Sequence, residues 1–210
     1  MTLKSALSIV WTIAFVGEFL VPYTLSLFIR DYSHMKTVMS AIGANKSLVG
    51  KVYSGWLVVF GVLCVVYSVM FVKINMSSIN NSIRVGAAFI ALYGIGSGII
   101  CGLFQVDETR EMVSVSAKIH GGAVVLAFFL LMFLPLVLRK YTVGIVGIQG
   151  TWISILTFII CLLWFILQIL SEKEQFMNTC LGYTGLWQRL YLFSIYAYIA
   201  IVTVWTVKSK

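Results

Sequence analysis

Charge is what this 210-residue chain has least of: Asp, Glu, Lys and Arg make up 10% of it, where a soluble domain carries about 25%. That scarcity excludes a water-solvated globule. Strand-like alternation of apolar and polar residues is absent as well, so a β-barrel is excluded. No Cys-x-x-Cys occurs, and Cys64, Cys101, Cys161 and Cys180 are too scattered for a disulfide framework or a cysteine metal site. There are only two histidines, His34 and His120. No Gly-x-Ser-x-Gly elbow marks a serine nucleophile.

What is present is apolar: 60% of the residues are hydrophobic and the mean hydropathy is +1.00. Runs near 20 residues are long enough to cross a hydrocarbon core of roughly 30 Å. Backbone groups in lipid must be satisfied within each segment, so the spans are expected to be helices. The fold class is therefore all-α, a polytopic six-helix membrane bundle. Spans are read at about 6–29, 48–72, 85–105, 118–138, 146–170 and 188–207. Short connections make residues 1–210 a single domain. The first span follows Lys4 but is too long for a signal-peptide core and lacks a cleavage site, so it is expected to be retained.

The net charge of +8 reads as topology and not as a nucleic-acid partner. If the N-terminus is cytoplasmic, Lys4, Lys73, Arg84, Arg139, Lys140, Lys208 and Lys210 lie inside with no acid among them. Asp31, Asp107, Glu108, Glu111, Glu172 and Glu174 fall on the opposite side with eight basic residues. Purely basic inner flanks are what the positive-inside rule expects, so both termini are read as cytoplasmic in a multi-pass membrane protein. Single cysteines at Asn80 and Glu174, in a cysteine-free background, are then expected to label oppositely with an impermeant maleimide. External labelling at Asn80 would reverse the orientation.

Three richer connections share the outer face in this reading, and function usually sits on loops held by a rigid scaffold. Asp107-Glu-Thr-Arg-Glu111 crowds four ionised groups before His120, which opens a span where an imidazole is costly without a partner. Asp107 and His120 are the catalytic candidates, as an acid–base pair. With His34 they also form a candidate divalent-metal set. Haem ligation by the two histidines is the weakest alternative, since His34 falls in a loop. The bland reading, that each histidine bonds a backbone group, carries equal weight. Candidate binding residues are Arg189, His34, Ser40, Tyr32 and Glu18. Ser40 is a nucleophile only if His120 reaches it. Glu18 is the single acid within a span, four residues before Pro22. Gly94, Gly98 and Gly102 form a small-residue stripe that should meet another helix within about 8 Å, in the bundle or in a dimer.

Three motif regions resemble the uncharacterised six-helix prokaryotic membrane family known as domain of unknown function 998. They are Asp31-Tyr-Ser-His-Met…Val-Met-Ser40-Ala-Ile-Gly43-Ala, Gly102-Leu-Phe104-Gln-Val-Asp107…His120-Gly-Gly-Ala123 and Gly185-Leu-Trp-Gln-Arg189-Leu. Gln105 stands where that family usually has proline. The family's activity is not established. The resemblance implies a shared polar site from Asp107, His120, Arg189 and the Tyr32–Ser40 loop. A more distant similarity to the Frag-type group points towards lipid-anchor remodelling by fold-level analogy. The leading expectation is binding or modification of an envelope lipid head group, with Arg189 holding a phosphate or carboxylate. The competing expectation is a non-catalytic accessory, immunity or sensor protein, with a homodimer or a partner subunit in the membrane. A small-solute transporter ranks third, as no inverted repeat is visible. No signature decides whether the chain is an enzyme.

Overall fold

The computed structural model describes residues 2–44, 47–78, 80–107 and 113–209. Six helices are long and apolar enough to cross a membrane: α1 (Leu3–Ser26), α2 (Leu48–Ile74), α3 (Asn81–Leu103), α4 (Val115–Val146), α5 (Ile148–Ser171) and α6 (Thr184–Lys208). Four of them begin on a polar cap. Thr2, Ser47, Asn80 and Ser114 each accept a first-turn amide, which satisfies a donor the helix itself leaves unpaired. Alternating direction brings the described parts of the connections 27–47, 104–114 and 172–183 to one face, called the loop-rich face below.

The fourth span differs from the reading of 118–138. It runs to Val146, interrupted only at Phe133 just before Pro135, so Arg139, Lys140 and Tyr141 are helical rather than in a loop. Nothing between 139 and 146 breaks a helix; the chain turns only at Gly147, whose φ of 67° suits a residue without a Cβ. Tyr141 then bonds Asn75 (2.8 Å) and Thr206 (2.9 Å), tying that end of α4 to its neighbours.

The glycine stripe packs within the bundle. It lies in α3, where Gly94–Ile100 form a wide π-helical stretch against α2. A Cβ on Gly98 would stand 2.4 Å from the Gly61 Cα, and one on Gly94 2.5 Å from the Cys64 Cβ. On Gly102 it would meet the Ser54 carbonyl at 2.6 Å. Gly61 on α2 is the reciprocal small residue, with the Gly94 carbonyl 2.4 Å from its would-be Cβ. Backbones approach this closely only where side chains are missing, which replaces a hydrophobic drive that lipid does not supply.

α6 carries the interior. Its Tyr191, Ile195, Tyr196, Tyr198, Ile199 and Val202 are all buried. Buried hydroxyls there find partners: Tyr67 with Thr203 (2.7 Å), Ser154 with Tyr198 (3.1 Å), and Tyr191 donating to the Phe128 carbonyl (2.6 Å). Ile9, Ile13, Val16 and Leu20 on α1, and Leu156, Ile159 and Leu163 on α5, stay exposed, as lipid-facing residues do. All four cysteines are free, and only Cys180 is exposed.

Candidate functional site

The first and third motifs lock together. Arg189 lies in the second turn of α6 and points under the 27–47 connection. Its Nη1 donates to the carbonyls of His34 (2.7 Å), Thr37 (3.0 Å) and Gly185 (2.8 Å), and its Nη2 to Tyr32 Oη (2.8 Å). Tyr32 passes the interaction on to the Val38 carbonyl (3.2 Å). Burial raises the Tyr32 phenol above its ordinary range against the pull of Arg189, so it remains a protonated donor. Gly185 makes this possible: a Cβ there would sit 2.3 Å from the Thr37 carbonyl oxygen. Gln188, one residue before Arg189, accepts the Met39 amide at 2.7 Å. Sequence reading missed Gly185 and Gln188 as working parts of the motif. Their position, four and one residues before the arginine, was the available signal. The Arg189 fork, expected to hold a ligand's phosphate, is spent on this connection.

His34 is held on the same side. Ser26 Oγ donates to the Tyr23 carbonyl (2.7 Å) and so accepts from His34 Nε2 (3.1 Å). The imidazole stacks on Tyr23 with centroids 5.1 Å apart. Burial first, and Arg189 second, lower its pKa, so the ring is neutral near pH 7 and is no anion receptor. It borders an apolar groove of about 720 Å³ between α1 and α6, lined mainly by Phe15, Phe19, Leu20, Tyr23 and Phe193.

The second motif is arranged differently from the expected acid–base pair. Asp107 Oδ2 accepts the amides of Val113 (3.0 Å) and Ser114 (2.9 Å) and closes the connection ahead of α4. Glu108, Arg110 and Glu111 lie outside the described residues. His120, in the second turn of α4, bonds the Phe104 carbonyl through Nδ1 at 2.8 Å. A carbonyl only accepts, so that nitrogen carries the proton and Nε2 keeps a lone pair. Among the described residues Nε2 has no hydrogen-bond partner. No hydrogen bond joins Asp107 to His120; Asp107 accepts from backbone amides and His120 bonds a backbone carbonyl. The proposed metal set is not assembled either. His34 and His120 border different cavities, and among the described residues no three His, Cys, Asp or Glu side chains come together.

His120 instead faces a cavity of about 380 Å³ between α4, α5, α6 and the 38–40 segment. Val124, Val125, Phe128, Phe165 and Ile169 form its apolar wall; Ser40, Gln168, Glu172 and Gln188 supply polar groups. The residue is 4% exposed, yet its Nε2 is unsatisfied. Gln168 Oε1 is the other buried side-chain atom without a partner among the described residues. Both of these orphans border the same cavity. A deeper void of about 30 Å³ shares Ser40, His120 and Gln188 and adds Glu18. Glu18 is bonded across to α2, accepting Trp56 Nε1 at 2.9 Å. Ser40 thus shares a wall with His120 without bonding its free nitrogen. Chemically the site offers unpartnered acceptors, an imidazole lone pair and an amide oxygen, with a carboxylate at the exposed Glu172, beside the amide N–H groups of Gln168 and Gln188 and the Ser40 hydroxyl.

A family model described as "Protein of unknown function (DUF998)" matches residues 12–205, and the chain belongs to that family. No curated protein and no solved structure matches it.

Proposed function

We propose that this DUF998 membrane protein binds an envelope lipid by its head group, in the cavity around His120 at the loop-rich face. One observation carries the reading: a nearly fully buried imidazole, its Nε2 without a partner among the described residues, lines a cavity of about 380 Å³ that is apolar on one side and polar on the other. Buried polar atoms are ordinarily satisfied, and leaving one unmade costs about 1–3 kcal/mol. A bound polar group supplies what His120 lacks, and the Val125–Phe128–Phe165 wall suits the adjoining apolar part of an amphiphile. Arg189 and Asp107 take no part in this reading as ligand groups. Their bonds to backbone support a role in holding the connections that frame the cavity.

A phosphatidylglycerol bearing a photoreactive diazirine on its head group tests the proposal in nanodiscs. Labelled peptides are expected to cluster at 120–128 and 165–172, with His120→Phe lowering that labelling about tenfold. Labelling spread evenly over the lipid-facing sides of α1 and α5 would remove the head-group reading.

A further inference from the structure

We infer that the group this cavity takes is an uncharged hydroxyl, as on a glycerol or sugar head group, and not a phosphate or an ammonium. The inference rests on the head-group reading above and names its chemistry. The two buried side-chain atoms without a partner among the described residues, His120 Nε2 and Gln168 Oε1, belong to residues on the cavity wall and are both acceptors. The Phe104 carbonyl holds the proton on His120 Nδ1, so Nε2 keeps a lone pair. Gln188, also on the wall, has its own oxygen engaged by the Met39 amide. A group that satisfies both of these atoms must therefore donate.

A phosphate fails this requirement. Among the described residues no lysine or arginine lines the cavity, and the acidic side chain of Glu172 on its wall would repel it. Arg189 borders the other groove and gives its Nη donors to Tyr32, His34, Thr37 and Gly185. An ammonium donates, but it would be buried against two neutral acceptors. Glu172 is exposed, and Glu18 belongs to the smaller void and already accepts from Trp56. A buried charge without close pairing is costly. A hydroxyl donates without that cost and can accept in turn from Ser40 on the same wall.

The test uses the whole protein in nanodiscs containing equal amounts of four lipids with matched acyl chains. They are phosphatidylcholine, phosphatidylethanolamine, phosphatidylglycerol and a glucosyl diacylglycerol. Retained lipid is read by native mass spectrometry. Choline carries neither O–H nor N–H, ethanolamine carries an ammonium, and the other two carry hydroxyls with and without a phosphate. Wild type is expected to retain one or both hydroxyl-bearing lipids at least tenfold over phosphatidylcholine. Which of the two dominates distinguishes a glycerol phosphodiester from a glycolipid as the source. His120→Phe and Gln168→Leu should each flatten the preference. Gln168→Leu replaces a half-buried side chain on α5, so it carries the expectation even if the His120 variant fails to fold. A preference for phosphatidylethanolamine, parity with phosphatidylcholine, or a preference unchanged in Gln168→Leu overturns the inference. A preference for another head group that Gln168→Leu abolishes would overturn the hydroxyl assignment and leave head-group binding standing. Wild type retaining none of the four would remove both.

Discussion

Gly98→Leu is expected to unfold the protein in detergent or to lower its melting temperature more than any other single change in α3. Adding even a Cβ at 98 places an atom 2.4 Å from the Gly61 Cα and 2.7 Å from its nitrogen. Those are backbone atoms, so no side-chain rotation relieves the clash and α2 must move away from α3. Overpacking a close interface costs about 1–3 kcal/mol, and a leucine here exceeds what one added methyl does. Gly98→Ala separates the two effects, since it adds only the Cβ. Gly122 is the control, because a Cβ there meets nothing within 4 Å. Gly122→Ala should be neutral or stabilising by up to about 1 kcal/mol through helix propensity. Melting of Gly98→Leu indistinguishable from wild type would mean that α3 and α2 do not pack as described.

Arg189→Met should loosen the 27–47 connection while leaving the spans in place. The substitution keeps an unbranched apolar stem but deletes four donated bonds, three of them to main-chain carbonyls. Bonds from a charged donor contribute about 1.5–3 kcal/mol each before solvent discounts them, and bared buried acceptors add their own cost. A loss of roughly 2–4 kcal/mol is expected for a half-buried cluster that water can partly re-satisfy. Arg189→Lys should recover less than half of it, because a compact ammonium lacks the planar fork that reaches both the carbonyls and Tyr32. Hydrogen exchange along residues 32–39 gives the specific readout, with faster exchange in both variants. A ligand-holding arginine predicts the reverse pattern: unchanged exchange and melting, with lipid retention lost. That pattern would restore Arg189 to the binding site.

Much of the loop-rich face could be read from residue types, and its wiring could not. His120 stood out because an imidazole opening a span is costly. Its true partner is the Phe104 carbonyl, a backbone atom that carries no sequence signal. Asp107 stood out for the same reason and likewise spends its carboxylate on amides. Arg189 looked like a receptor for anions, because a guanidinium reads alike whether its acceptors are carbonyls or a ligand. Gln168 went unnoticed: a lone glutamine in an apolar run means little until a neighbouring helix leaves its oxygen buried without a donor.

What the sequence determined by itself is the class of solvent and the number of crossings. A chain with 10% charged residues and repeated apolar runs has lipid for its surroundings, and hydrocarbon allows such runs only as helices, six here. The four-residue spacing of Gly94, Gly98 and Gly102 likewise determined a close-packing face, since helical periodicity is local. The tertiary structure alone decided that Gly61 is the partner of that face, that His34 and His120 belong to separate cavities, and that His120 shares its cavity with Gln168. The physical reason is that hydrogen-bond satisfaction and steric fit belong to pairs of groups. Each pair is made by helices that meet only after the chain has packed.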